Sequence, residues 1–130
     1  MARFGSTVTL AAITVIGEIT KEGCSEITER IIKRIGMSAV HFPVIYRYPV
    51  DGKGGSGFTL IQPISESFLV WDTWEKLNGA YFFLCSCKGF KMTDVIEELE
   101  KSFHVKQVLV GELSIADDEK VSRGNLDVHR

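Results

Sequence analysis

Residues 56–87 run Ser56-Gly-Phe-Thr-Leu-Ile-Gln-Pro-Ile-Ser-Glu-Ser-Phe-Leu-Val-Trp-Asp-Thr-Trp-Glu-Lys-Leu-Asn-Gly-Ala-Tyr-Phe-Phe-Leu-Cys-Ser-Cys87. Aromatic and β-branched residues gather there in three runs, Phe58 to Ser65, Phe68 to Trp74 and Ala80 to Cys87, the last almost continuously apolar. Each is the length of a strand. Leu77-Asn78-Gly79 supplies a turn before the third, and Pro63 falls near the end of the first. Connections this short favour antiparallel neighbours.

The chain extends this sheet on both sides. Upstream, Val40 to Tyr48 reads as a strand in which Pro43 argues for an edge or a bulge, and Asp51-Gly-Lys-Gly-Gly-Ser-Gly57 reads as the following turn. Before it, Ser25 is placed to cap a helix whose Ile27, Ile31, Ile32 and Ile35 share one face, and Gly36 suits its end. Thr7 to Val15 reads as the first strand, with Gly17 and Gly23 bracketing a polar loop. Downstream, Thr93 is placed to cap a second helix carrying Val95, Ile96, Leu99 and Phe103 on one face, and Val105 to Ile115 closes the set as a strand. The order strand, helix, several strands, helix, strand predicts an α+β two-layer sandwich, a mainly antiparallel sheet with two helices on one face. Residues 1–115 form the expected domain. From Ala116 the sequence turns polar, and 116–130 is expected to be a loosely held tail.

Composition sets the limits. The 130 residues, 45% hydrophobic, fit one domain with one core. Fifteen Lys and Arg against seventeen Asp and Glu leave a net charge of -2 with no long block of either sign, which argues against a nucleic-acid surface and for a small-molecule or protein partner. The apolar stretch Val8 to Ile16 is broken by Thr9 and Thr14 and is shorter than the ~20 residues of a membrane span. No small-residue cleavage site follows it, so no membrane segment or export signal is expected. Three cysteines, Cys24, Cys85 and Cys87, are too few for a disulfide framework and point to a reducing cytoplasm.

Taken one at a time, the chemical candidates are modest. Gly52-Lys-Gly-Gly-Ser-Gly57 has the composition of a phosphate cradle, but it opens onto a strand where such cradles open onto a helix, so a hairpin loop is the expectation. Cys85 and Cys87 alternate to one face of a strand, yet His41, His104 and His129 show no paired ligand spacing, and no metal is expected. Trp71 and Trp74 in isolation are packing residues, and Ser65-Glu66-Ser67 in isolation is a polar strand end.

Taken together, in order and spacing, the residues read differently. Ser56 to Trp74 followed by Ala80 to Cys87 resembles the core of the short prokaryotic, pyruvoyl-dependent S-adenosylmethionine decarboxylases, and the likeness extends from Gly5 to about Ile115. In that family a Glu-Ser bond is the self-cleavage site, a Thr-Trp pair follows, and a catalytic cysteine ends the next strand; here these are Glu66-Ser67, Thr73-Trp74 and Cys87. The resemblance implies a proenzyme, or zymogen, in which Ser67 attacks the carbonyl of Glu66, the peptide becomes an ester, and β-elimination leaves a pyruvoyl group at residue 67. Decarboxylation of an amino acid needs an electron sink, which a Schiff base on that pyruvoyl provides. The resemblance gives Cys87 the reprotonation step, a role open to a thiol because thiol acidity lies near neutrality and responds to its surroundings.

Further roles come from the same likeness. Tyr48 takes the place of an aromatic that stacks on adenine, Trp74 and Glu75 fall in the substrate-binding stretch, and Ser56 and Asp72 stand with Ser67 in processing. The sequence departs from the family at three points. Phe68 replaces a His after the cleavage serine, Asp72 replaces the His before Thr-Trp, and Glu75-Lys76 stands where the family has Pro-Glu, whose Glu holds the ribose hydroxyls. A carboxylate can also act as a base. The implied function is decarboxylation of S-adenosylmethionine for spermidine and other polyamine synthesis, by a cytoplasmic homodimer with active sites near the subunit interface. Two alternatives stand beside it: a pyruvoyl decarboxylase of arginine or ornithine, and an unprocessed paralogue that binds a ligand or partner without catalysis.

Overall fold

The computed structural model describes residues 7–48, 56–65 and 67–114. Its first strand, β1 (Thr7–Ile16), is built from alternating residues: Ala11, Ile13 and Val15 are buried while their neighbours face the other way. After it come α1 (Lys21–Arg34), β2 (Val44–Arg47), β3 (Phe58–Ile64), β4 (Ser67–Trp74), a single 3-10 turn (Glu75–Leu77), β5 (Gly79–Ser86), α2 (Met92–Glu100) and β6 (His104–Ser114). The six strands form one sheet in the order β2-β3-β4-β5-β1-β6, every neighbouring pair antiparallel. The architecture is the expected α+β two-layer sandwich.

Alternation decides which face is covered. Phe58, Leu60 and Ile64 of β3, Leu69 and Trp71 of β4, and Phe82 and Leu84 of β5 join Ala11, Ile13 and Val15 on one face. Ile27 and Ile31 of α1, Val95 and Leu99 of α2, and Phe103 pack onto that face and complete the core. At its centre the Trp71 indole meets Phe82 edge-on at 5.1 Å and donates its Nε1 hydrogen to Thr28 Oγ1 at 2.8 Å. The other face carries Leu10, Ile16, Phe68 and Tyr81, all well exposed, and among the described residues no helix lies on it.

Both helices begin earlier than their sequence signals suggested. Thr20, not Ser25, caps α1, its Oγ1 accepting from the Gly23 N–H at 2.9 Å, so Gly23 belongs to the first turn and Ser25 to the helix body. Thr93 lies inside α2, whose cap residue Lys91 makes no side-chain bond. The expected strand from Val40 shrinks to Val44–Arg47, with an isolated bridge between Ala39 and Ile64 before it. Pro43, which brings no N–H to a ladder, lies just before β2, and β2 is an edge strand. Residues 51–55 of the glycine-rich turn and the expected tail lie outside the described residues.

Candidate active site

The β3-β4 and β4-β5 ladders position the candidate residues. Ile64 pairs with Ser67, so residues 65 and 66 form the whole connection, and the register continues to Thr59 opposite Asp72. Ser67 also pairs with Ser86 on its other side, which brings Cys87, twenty positions away in sequence, next to the start of β4. Ser67 is half-buried and Cys87 exposed. Glu66 itself lies outside the described residues.

The chain after Ser86 is tightly held. The Ser86 hydroxyl, buried at 1% exposure, accepts the Lys88 N–H and donates to the Lys88 carbonyl, both at 2.9 Å. The Lys88 ammonium donates to the Gly36 carbonyl at the end of α1 at 2.8 Å. None of the three cysteines is in a disulfide. Burial, with a smaller push from the Glu75 charge, drives the Cys24 thiol up to about 12, which favours its protonated form.

A second polar group collects at the other end of β4. Asp72 Oδ1 accepts from the Tyr48 hydroxyl at 2.5 Å and from Thr59 Oγ1 at 3.3 Å, and the two hydroxyls also touch. Burial, then the bond to Asp72, raises the Tyr48 phenol above its ordinary value and keeps it a donor. Glu75 receives both terminal nitrogens of Arg47, at 3.0 and 3.4 Å, and the Ser56 hydroxyl at 3.2 Å. The Arg47 bonds hold its carboxyl below the usual carboxylate range. Trp74 packs edge-on against Tyr81 at 5.0 Å and lines a cleft of about 260 Å³ with Thr14, Ile16 and Leu77 on the uncovered face.

Of the eight residues singled out from sequence, the seven that are described form two clusters. Ser67 and Cys87 share one end of the sheet, while Tyr48, Ser56, Asp72, Trp74 and Glu75 share the other. Ser67 and Asp72 lie five positions apart along β4, about 17 Å at strand rise, and alternation puts them on opposite faces. Three residues were missed. Thr59 joins Tyr48 in donating a hydroxyl to Asp72, which its place opposite Asp72 in the β3-β4 register allows. Arg47 carried no sequence signal, since it acts through Glu75, distant along the chain, and Ser86 was passed over although its bonds to Lys88 are local. Among the described residues no three His, Cys, Asp or Glu gather as metal ligands. A larger cleft, about 710 Å³, lies elsewhere, between the end of α1 and residues 37–43.

Residues 18–114 match the family described as S-adenosylmethionine decarboxylase. Among solved structures, the chain is similar to the crystal structure of the adenosylmethionine decarboxylase from Aquifex aeolicus VF5, with 15% identity and a TM-score of 0.61 over 91% of this chain and 97% of that one. At that identity the likeness shows the fold alone. No curated protein matches the chain.

Proposed function

The chain belongs to the S-adenosylmethionine decarboxylase family, and from that premise we propose that it decarboxylates S-adenosylmethionine, with a catalytic pyruvoyl group made by self-cleavage between Glu66 and Ser67. The observation that carries this reading is the pairing of Ser67 with Ser86, which sets the cleavage serine beside Cys87. A serine at the margin of the sheet, at the first position of its strand, becomes a chain end on cleavage without breaking the β3-β4 ladder beyond it.

These surroundings fit the group. Residue 67 would carry the pyruvoyl group, whose carbonyl would supply the electron sink that decarboxylation needs. Cys87 holds the proton that replaces the departing carboxylate. Tyr48 and Trp74 offer aromatic faces to the adenine, and Glu75 offers carboxylate oxygens to the ribose hydroxyls. Asp72 takes the proton-handling part in processing, with Thr59 and Tyr48 fixing its Oδ1. The product serves spermidine and other polyamine synthesis.

The two clusters lie too far apart to meet within one chain, which supports a homodimer. A two-fold axis running across the strands, between two sheets packed through their uncovered faces, reverses strand direction. It lays the end of β4 that carries Ser67 in one copy over the Asp72 end of the other, with Ser67 at the open margin of the sheet and not within its covered face.

Intact-mass measurement of the purified protein tests the cleavage. Two fragments are expected in place of one 14.5 kDa species, and Ser67→Ala should abolish the cut; a single uncut mass for the native chain overturns the reading and leaves the non-catalytic paralogue. One observation favours a second substrate class: Glu75 is already engaged by Arg47 and Ser56, and a basic amino acid, arginine or ornithine, needs no ribose acceptor. Carbon dioxide release from each of the three compounds separates the two.

A further inference from the structure

We infer that Ser86 is a positioning residue for the Cys87 thiol. Its hydroxyl closes a two-point clasp on Lys88, and Cys87 is the one residue inside the clasp. This deepens the reading of Cys87 as the proton donor and rests on it.

The argument starts from burial. A serine at 1% exposure at the end of a strand has lost its water, and its hydroxyl must find partners within the protein. Ser86 finds both on one residue, accepting the Lys88 N–H and donating to the Lys88 carbonyl at 2.9 Å each. A side-chain oxygen bonded to the N–H two residues on is a turn-forming device. Here it turns the chain at the end of β5 and sets the direction in which residue 87 leaves the sheet. The Met37 sulfur, 3.8 Å from the same oxygen, closes the far side of the pocket around it.

A second tie works from the other end. Lys88 spans to the Gly36 carbonyl at 2.8 Å, which anchors the turn to the end of α1. Cys87 is therefore flanked by a buried hydroxyl on one side and a tethered lysine on the other. Ser86 is also the residue that pairs with Ser67, so one residue fixes both the thiol and its distance from the cleavage serine. Proton delivery from a thiol falls off steeply when the donor is misplaced by even ~1 Å. A free strand end offers no such control.

The comparison that isolates the hydroxyl is Ser86→Thr against Ser86→Val, two side chains of one shape that differ in that group alone. In the processed enzyme, Ser86→Val is expected to lower kcat about tenfold with KM within about twofold, while Ser86→Thr keeps kcat within about twofold of the native enzyme. In a Cys87→Ala background Ser86→Val should cost nothing further, because its effect runs through the thiol. An equal loss of kcat in both backgrounds overturns the inference, as does a native kcat for Ser86→Val.

A second readout needs no pyruvoyl. In the uncleavable Ser67→Ala chain, alkylation of Cys87 by iodoacetamide, followed by peptide mapping, should be at least about threefold faster with Val than with Thr at position 86 as the clasp opens. Equal rates overturn the inference. If Ser86→Val does not fold, Ser86→Ala against Ser86→Thr makes the same comparison. A Cys87→Ala enzyme with native kcat instead removes the proton-donor role given to Cys87, while the alkylation rates still report whether Ser86 holds the thiol.

Discussion

At the scale of single residues, the buried face of the sheet is specific as well as apolar. Trp71 is wholly buried, and its one polar atom is answered by one hydroxyl, Thr28 on α1. Thr28→Val keeps the shape and removes the acceptor, so the indole N–H is left unpaired in the core. Denaturant unfolding should show a loss of about 1–3 kcal/mol, whereas an unchanged stability would mean that the bond contributes nothing net. Thr73 plays a comparable part on β4: its hydroxyl donates to the Phe58 carbonyl and accepts the Phe58 N–H, which makes the threonine of the Thr73-Trp74 pair a structural residue. Beside it Gly57 lies so close to β4 that an added Cβ would sit 2.2 Å from the Thr73 carbonyl oxygen. That glycine is required by close approach and has nothing to do with phosphate. Sequence could name Ser67, Asp72 and Cys87 because motif spacing runs along the chain. It could not name Arg47, whose partner Glu75 is far along the chain, nor the pairing of Ser86 with Ser67 on the neighbouring strand.

At the scale of elements, α1 and α2 are joined by charge. Glu98, 5% exposed, lies between them and receives Lys101 at 3.1 Å, Arg34 at 3.1 Å and Arg30 at 3.3 Å. The Lys101 bond first, then the bonds from Arg34 and Arg30, hold its carboxyl below the usual range against the opposing pull of burial. A folded-state pKa below that of the unfolded chain, ~4.3, means that this contribution is present above about pH 4.3 and is lost as pH falls toward the folded value. Glu98→Gln should therefore lower Tm on the order of 5 °C at pH 7 and by much less at pH 3. Thermal scans of both proteins across that range check it, and a pH-independent difference would assign the loss to packing. The helices and strands themselves were readable from apolar period and turn residues, because both signals are local. Their boundaries were less so: Thr20 outcompeted Ser25 as a cap, since a cap must precede the first turn and the helix gains bonds by starting as early as a cap allows. The pairs from Arg30 and Arg34 to Glu98 were not foreseen, because they join residues more than sixty positions apart.

At the scale of the whole molecule, the unusual feature is the sheet's second face. Leu10, Phe68 and Tyr81, at 42%, 42% and 44% exposure, and Leu109 at 62% lie on it, and Tyr81 links Trp74 and Phe83 into an aromatic row. An exposed apolar surface of this kind is costly in water and is normally covered. In the proposed homodimer a second copy covers it, and each active site takes Ser67 and Cys87 from one copy and Asp72, Tyr48 and Glu75 from the other. This arrangement makes a prediction that no single-chain site can meet. A chain carrying Ser67→Ala and a chain carrying Asp72→Asn should each be uncleaved and inactive alone. Produced together, half of the dimers are mixed, and each mixed dimer holds one site with both residues intact. Activity should return to about a quarter of the native level, and the cut should appear only in the Asp72→Asn chain, which keeps its serine. Mass analysis distinguishes the two chains directly. A mixture that stays uncut and inactive would place the whole site within one chain, and Leu109→Glu would then have no reason to abolish activity, whereas in the dimer it puts a charge into the buried face and should release inactive monomers on sedimentation.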